Sequence, residues 1–254
     1  TDWIRSRLRR IVQTNEPGRS TVLYPALLWL TSEDRRPVRL LEIGASAGLN
    51  LLVDRYSYIT GGKALGEVSS PVRFDEPWDP PLASRLVKAA EDLEITARAG
   101  CDLNPLDPGN PDDRVTSLSY IWPDEPDRFR RVSAALELAA IDPPIVTQQP
   151  ASAWLAAALA DRQPGELTVV WQSVFRQYLE AEEWSSIEGA VTGAVGADVQ
   201  RPVAWLIMEP GEDHLARMRL TLRLVADGPE RELAECGDHG PPVHWTASAG
   251  PSSG

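Results

Sequence analysis

The chain has 254 residues, of which 43% are hydrophobic, so it is long and apolar enough for one large domain with a sizeable core. Its formal net charge of −12 argues against a nucleic-acid-binding or anionic-membrane-binding surface, because both select basic faces. We therefore expect a small-molecule substrate, and neither nucleic acid nor membrane as a partner.

The cysteines and histidines predict neither a disulfide framework nor a metal site. Cys101 and Cys236 have no framework spacing, and no signal peptide or long apolar run is visible, which indicates a reducing, cytoplasmic location. The histidines, His214, His239 and His244, are too few and too scattered to indicate a metal site. We interpret them as loop or surface residues and expect no metal.

Residues 1–36 are predicted to form an N-terminal helical extension. Apolar residues recur at helical spacing over residues 3–12, and a second apolar helix is predicted over residues 24–30. The polar segment between them, T-N-E-P-G-R-S at residues 14–20, contains helix-breaking Pro and Gly. Three candidate substrate-binding residues lie on this loop: Asn15, Glu16 and Arg19. The alternative is that they form only a turn and a helix cap.

Residues 38–50, V-R-L-L-E-I-G-A-S-A-G-L-N, predict a buried strand that runs through a glycine turn directly into a helix. Glu42 lies inside the apolar run, where a carboxylate must be paired or hydrogen-bonded because burying it alone is costly. A helix that begins near Ser46 and ends near Tyr58 would present free N–H groups at the carboxyl edge of the sheet, where open α/β sheets bind ligands. We therefore expect the functional site at this turn.

The glycine turn has two functional interpretations. G-A-S-A-G satisfies the G-x-S-x-G pattern of a hydrolase nucleophile elbow, but only 43 residues precede Gly44, and they contain no oxyanion-loop segment. The turn also resembles motif I of class I S-adenosylmethionine (SAM)-dependent methyltransferases, acid-x-G-x-(G/S)-x-G, in which Glu42, Gly44, Ser46 and Gly48 match. The methyltransferase interpretation is preferred. A third interpretation, in which the glycines merely tighten the turn, stays open.

The next predicted strand carries a second acidic residue. Residues 59–94 predict an insertion, a hairpin or long loop near the ligand-binding edge with a helix at 82–93, and a strand follows at 95–101. Asp102 at its end is predicted to accept hydrogen bonds from ribose hydroxyls. It lies 102 − 48 = 54 residues after Gly48. Because the usual separation is about 20 residues, Asp75 and Glu76 remain alternatives.

The remaining chain continues the alternation of strands and helices. Strands are predicted at 144–147, 167–171 and 203–208, helices at 129–138 and 154–159, and an antiparallel hairpin at 219–225 and 230–235. The predicted fold is therefore α/β, a mainly parallel Rossmann-like methyltransferase sheet closed by a C-terminal antiparallel hairpin. This core spans residues 37–246, and a disordered tail is expected at 247–254.

Several segments together resemble a bacterial family of domains of unknown function (DUF two-three-three-two), itself similar to class I methyltransferases. They are T-N-E-P-G-R-S, L-L-E-I-G-A-S-A-G-L-N-L-L, G-C-D-L-N-P, I-W-P-D-E-P and S-V-F-R-Q-Y-L, and they cover most of the chain. The resemblance implies the Rossmann-like fold and SAM as the cofactor, but no general reaction.

The sequence and the resemblance together define a candidate site. The expected cofactor-binding residues are Glu42, Gly44, Ala45, Ser46, Gly48, Asn50, Asp102, Leu103, Gln149 and Ser173. The expected substrate-binding residues are Asn15, Glu16, Arg19 and Tyr178, and the candidate catalytic bases are Glu16, Tyr178, Glu209 and His214.

The predicted function is SAM-dependent methylation of a small molecule whose acceptor atom the sequence does not identify. Such an enzyme aligns donor and acceptor and excludes water. Two alternatives remain: a non-catalytic SAM- or nucleoside-binding module, and a serine hydrolase that uses Ser46. The hydrolase requires an Asp–His pair beside Ser46.

Overall fold

The structure is a computed structural model that describes residues 13–32, 34–211, 217–224, 226 and 228–247. The helix predicted over residues 3–12, the candidate base His214 and nearly all of the predicted tail lie outside the described residues. No helix in the described part of the chain is long and apolar enough to cross a membrane.

The described helices and strands alternate over most of the chain. In chain order they are α1 (Ser20–Thr31), β1 (Val38–Ile43), β2 (Ser57–Thr60), β3 (Lys63–Gly66), β4 (Arg73–Asp75), α2 (Ser84–Ala89), β5 (Ile95–Asp102), α3 (Pro111–Leu118), α4 (Pro126–Ile141), β6 (Ile145–Gln148), α5 (Ala151–Ala160), β7 (Leu167–Ser173), α6 (Ala181–Ala194), β8 (Val203–Pro210), β9 (Met218–Arg223), β10 (Arg231–Gly237) and β11 (Gly240–Trp245). Short 3₁₀ segments occur at Pro17–Arg19, Leu49–Arg55 and Arg176–Tyr178.

Eight strands form one sheet in the order β11-β10-β9-β8-β7-β1-β5-β6. The pairs among β6, β5, β1, β7 and β8 are parallel, and β9, β10 and β11 continue the sheet antiparallel. The prediction of a mainly parallel sheet with a C-terminal antiparallel hairpin is confirmed, and β11 is an additional strand. The strand order reverses between β1 and β7, and such a switch point is where open α/β sheets bind ligands.

Helices and segments cover both faces of the parallel strands, which is why these strands are continuous apolar runs. Leu40 of β1 belongs to the core on the side of α1 and α4, whereas Leu41 belongs to the core on the side of α5 and α6. Every residue of α1 is buried, so this N-terminal helix is part of the core that contains Leu40.

The prediction of a long helix after the glycine turn is wrong. Instead, a 3₁₀ segment covers Leu49–Arg55, and β2 begins at Ser57. The reason is tertiary packing, because the rings of Tyr56 and Tyr58 are buried and their hydroxyls donate to backbone carbonyls of the preceding segment. Tyr58 also stacks on Tyr24 of α1 at 4.4 Å between ring centroids. These contacts stabilise the 3₁₀ segment and the strand in place of a continuous α-helix.

The predicted insertion contains a three-stranded sheet, β3-β2-β4, that is separate from the main sheet. Its hairpin turns at Gly61 and Gly62, both with positive φ, as a tight two-residue turn requires. Because β4 does not pair with β1, Asp75 and Glu76 do not end the second strand of the parallel sheet. That strand is β5, as predicted, and Asp102 is its last residue.

Candidate functional site

A cavity of about 620 Å³ lies at the carboxyl ends of β1, β5, β6 and β7, at the switch point of the sheet. Its volume is within the range of small-molecule sites. The predicted site residues that line it are Asn15, Arg19, Glu42, Gly44, Ser46, Asp102, Leu103, Gln149, Ser173 and Tyr178. Glu16, Ala45, Gly48, Asn50 and Glu209 are not among its lining residues. The 59–94 insertion was predicted to lie near the ligand-binding edge, but none of its residues lines the cavity.

The Asp102 carboxylate holds the glycine turn in place. Its Oδ2 accepts a hydrogen bond from the Ser46 backbone N–H at 2.9 Å. Its Oδ1 accepts from the Asn104 backbone N–H at 2.8 Å and from Gln13 Nε2 at 2.9 Å. Ser46 itself has a φ of 51°, a conformation uncommon for residues other than glycine, and the Asp102 bond stabilises it. Asp102 therefore has a structural role in addition to any contact with a ligand.

Glu42 is buried at the cavity floor with little polar compensation. Asn50 Nδ2 donates a long hydrogen bond to Oε1 at 3.5 Å, Oε2 accepts none from the described residues, and the Trp171 indole N–H favours the charged form only as a minor effect. Burial is the main reason that the pKa of this carboxyl is raised to about 8, with the Asn50 bond opposing the shift. The expectation that this carboxyl is paired or hydrogen-bonded is met only by the long Asn50 bond, and burial favours its protonated form at neutral pH.

Glu16 and Asn15 make structural contacts in the N-terminal loop. Glu16 is fully buried, accepts the Gly18 N–H at 2.8 Å and pairs with Arg128 at 2.5 Å and Arg131 at 3.4 Å. Asn15 Oδ1 accepts the Leu49 N–H at 2.9 Å, so this N–H at the start of the 3₁₀ segment is not free for a ligand. The turn-and-cap interpretation thus describes Glu16, whereas Asn15 both caps and lines the cavity.

The three candidate bases that the structure describes, Glu16, Tyr178 and Glu209, are placed very differently. Glu209 Oε1 accepts hydrogen bonds from Gln172 Nε2 and from the N–H groups of Phe175 and Arg176, at 2.9 to 3.1 Å, so it fixes the turn after β7. Glu16 is held by its arginines. Among the described candidates, only Tyr178 lines the cavity, at its rim with 55% of its surface exposed.

Both glycines of the turn are required by protein packing. A Cβ atom on Gly44 would lie 2.4 Å from Cδ2 of Phe175, and one on Gly48 would lie 2.6 Å from Cγ of Pro144. Both glycines also have a φ of 71°, which disfavours other residues. Both glycines therefore have a structural role, which is compatible with a ligand beside Gly44, because Gly44 lines the cavity.

The comparison with known families matches nearly the whole chain. A family model described as "Uncharacterized protein conserved in bacteria (DUF2332)" matches residues 1–245. The chain belongs to this family. A search of curated proteins finds no match. Every residue that lines the cavity of this DUF2332 protein lies within the matched range.

Part of the cavity wall in the DUF2332 protein was not predicted. Asp238 and His239, in the turn between β10 and β11, line the cavity, although His239 was interpreted as an ordinary loop or surface residue. Burial lowers the pKa of His239, and its Nδ1 has no described partner. The turn reaches the cavity because Gly18 and Gly240 let two backbones touch: a Cβ on Gly18 would lie 2.1 Å from the His239 carbonyl oxygen. Gly18 and Gly240 were the features of the sequence that could have indicated this close approach.

Among the described residues, Ser46 has no Asp–His pair beside it, which the hydrolase interpretation requires. Ser46 shares a positive φ with the strained turn of a nucleophile elbow, but its Oγ is buried with no hydrogen-bond partner among the described residues. Of the described histidines, His244 contacts the Asp79 carbonyl and His239 forms no bond to Ser46. The described residues also contain no group of three or more potential ligands arranged for a metal ion.

Proposed function

We propose that this DUF2332 protein is a methyltransferase that binds SAM in the cavity and methylates a small molecule. The observation that carries the proposal is the position of the cavity, at the switch point of a parallel sheet and beside a glycine turn held by Asp102. Ligands of open α/β sheets bind at such points.

The lining side chains fit a cationic nucleoside. A carboxylate offers about four acceptor positions, and the described contacts of Asp102 use three of them, which leaves capacity for a ribose hydroxyl. Asp102, Glu183 and Asp238 also place carboxyl-bearing residues around the cavity, which suits a positively charged ligand. Gln149 and Leu103 line the same side as Asp102 and would hold the base.

The protein's contribution to the reaction would be binding, orientation and exclusion of water. When bound, SAM would supply an electrophilic methyl group. Tyr178, at the rim of the cavity, is placed to orient the acceptor or to take its proton. Glu42 would act as a neutral, buried carboxylic acid at the floor rather than as a base.

Calorimetric titration tests this proposal. SAM and S-adenosylhomocysteine (SAH) are each titrated into the protein, with NAD as the control nucleotide. We expect saturable heat with SAM and SAH and none with NAD. The absence of both heat and a thermal shift at about 1 mM SAM and SAH, a limit that corresponds to a binding free energy weaker than about −4 kcal/mol, would contradict the proposal.

A non-catalytic SAM-binding module is the second candidate, and it is favoured by the structural bonds that occupy Glu16 and Glu209. Incubation with methyl-labelled SAM and a small-molecule fraction from bacterial cells separates the candidates. Transfer of label to a small molecule that requires the protein supports the enzyme, whereas SAH and SAM binding without transfer supports the module.

A further inference from the structure

Arg19 is a buried arginine whose described contacts are all with neutral oxygen atoms. Only 7% of its surface is exposed, and it lines the cavity. Its Nε donates to the Asp238 carbonyl at 3.2 Å, and its Nη1 donates to the Ser173 carbonyl at 3.4 Å and to Ser173 Oγ at 3.3 Å. Nη2 donates to no described group. The guanidinium therefore keeps donor capacity beside the cavity.

Among the described residues, the other buried arginine, Arg128, and the partly buried Arg98 both have carboxylate partners. Arg128 pairs with Glu16 and Glu125, and Arg98 forms a two-pronged pair with Asp54 at 2.6 and 2.9 Å. No carboxylate of the described residues lies within 4.0 Å of the Arg19 guanidinium. A buried charge without a partner is costly, so this position indicates a missing anion.

The acidic side chains that act on Arg19 from a greater distance are occupied elsewhere. Glu16 is paired with Arg128 and Arg131, and Glu209 accepts hydrogen bonds from the turn after β7. Glu42 is mainly protonated at neutral pH. Asp238 contacts Arg19 through its backbone carbonyl. The protein itself therefore supplies no close counter-charge among its described residues.

Arg19 and Asp102 lie on opposite sides of the cavity. Arg19 contacts Ser173 at the end of β7, whereas Asp102 ends β5, and β1 lies between these two strands. Neighbouring strands are about 4.8 Å apart, so the two sides are separated by roughly 10 Å. A nucleoside on Asp102 and Gln149 would leave the Arg19 side for a second molecule, next to Tyr178 of the segment that follows β7.

We propose that Arg19 binds a carboxylate of the methyl acceptor, and hence that the substrate is a small organic acid. This inference rests on the proposed function, which defines the second molecule as an acceptor. Arginine suits the role because its planar fork binds a carboxylate through two parallel hydrogen bonds. The carboxylate of the amino-acid part of SAM has the same chemistry, and the experiment must separate these two sources.

The first arm of the experiment tests the cofactor as the source. SAH and 5′-methylthioadenosine, which lacks the amino-acid part, are titrated into the wild-type protein and Arg19→Met. We expect each nucleoside to bind both proteins with dissociation constants within about twofold. A loss of SAH affinity in Arg19→Met, with 5′-methylthioadenosine unchanged, would assign Arg19 to the cofactor and overturn the proposal.

The second arm tests the acceptor as the source with simple acids. Benzoate and indole-3-acetate are compared with benzamide and indole-3-acetamide by ligand-observed NMR, with and without SAH. We expect at least one acid to bind the wild-type protein more tightly than its amide, and to lose about tenfold or more in affinity in Arg19→Met. Arg19→Lys, which keeps the charge but not the fork, should lose less.

Controls make each outcome decisive. Arg176→Met removes an exposed positive charge from the segment after β7 and should bind the acids as the wild-type protein does. Thermal unfolding verifies that the variants fold. If Arg19→Met does not fold, Arg19→Lys replaces it in both titrations. Equal acid affinity in the wild-type protein and the Arg19 variants, or no acid binding to the wild-type protein, would overturn the proposal. If the wild-type protein binds no nucleoside, the proposed function fails. The acid titrations without SAH would then still test whether Arg19 binds a carboxylate.

Discussion

At the scale of single residues, burial changes what the acidic side chains of the glycine turn can do. Glu42 and Asp102 lie at the carboxyl ends of neighbouring parallel strands and both line the cavity, yet only Asp102 accepts hydrogen bonds from backbone N–H groups. Glu42 is 2% exposed and one of its oxygens has no described partner, so it holds a proton at neutral pH. Residue type alone predicts two similar carboxylates, and the environment makes them different.

The raised pKa of Glu42 predicts a specific pH dependence of stability. The folded protein holds this proton up to a pH of about 8, whereas the unfolded chain releases it near the ordinary glutamate pKa of 4.5. The resulting stability is complete below pH 4.5 and is lost as the pH rises towards 8. Glu42→Gln lacks this titration. The difference in unfolding free energy, wild type minus Glu42→Gln, should therefore fall between pH 5 and pH 8 by on the order of 3 kcal/mol.

Urea unfolding at the two pH values measures this difference. The exposed substitution Glu91→Gln is the control and should follow the wild-type pH dependence. Parallel pH profiles for the wild-type protein and Glu42→Gln would show that Glu42 is ionised in the folded protein.

Asp102 predicts a combined loss of stability and binding. Its carboxylate accepts three described hydrogen bonds, from Ser46, Asn104 and Gln13, so Asp102→Ala should lower the unfolding free energy by about 2 kcal/mol. If Asp102 also binds the ribose, SAH affinity should fall by about tenfold or more, the range for a lost hydrogen bond to a charged group.

Unfolding and calorimetry on the same sample of Asp102→Ala separate the two effects. Asp107→Ala is a matched control, because Asp107 accepts a single N–H in an exposed turn and does not line the cavity. It should keep wild-type SAH affinity. Wild-type SAH affinity in Asp102→Ala would restrict Asp102 to its structural role.

At the scale of elements, the N-terminal loop is fastened to α4 by a buried ion pair. Glu16, which is fully buried, joins the loop to Arg128 and Arg131 of α4, and its other contact caps the Pro17–Arg19 segment. This fastening places Asn15 and Arg19 on the cavity. The loop therefore acts as part of the site because α4 holds it there.

Glu16→Gln should destabilise the protein strongly, because it leaves Arg128 buried without its main counter-charge. We expect a loss of about 3 kcal/mol in unfolding free energy. Glu125→Gln is the matched control, since Glu125 pairs with the same arginine but is 33% exposed, and it should cost less than about 1 kcal/mol. Equal effects of the two substitutions in urea unfolding would contradict the role of Glu16 as the buried partner.

The sequence predicts element types well where the chain is locally consistent. The apolar runs of β1, β5, β6, β7 and β8 each form a strand close to the predicted bounds. The prediction fails over Leu49–Arg55, where helical spacing is present but the buried rings of Tyr56 and Tyr58 determine the path. Such a conflict between local pattern and tertiary packing is not visible before the partners are known.

At the scale of the whole molecule, the cavity is assembled from segments that are far apart in sequence. Gln13, in the N-terminal loop, bonds to Asp102 of β5, and Arg19 bonds to Asp238 of the turn before β11. The residues on β1 and β5 were predicted because parallel strands end at a common edge. Asp238 and His239 were missed because Gly18 and Gly240, which allow this contact, do not show from the sequence alone which two backbones meet.

The central claim is that this cavity is a SAM site, and a crystal structure of the protein grown with SAH tests it most directly. The account predicts density for the nucleoside at the carboxyl ends of β1 and β5, with a ribose hydroxyl within hydrogen-bond distance of Asp102 and the Arg19 side of the cavity free of the cofactor. Nucleoside density elsewhere on the molecule, or an unchanged cavity at saturating SAH, would contradict it.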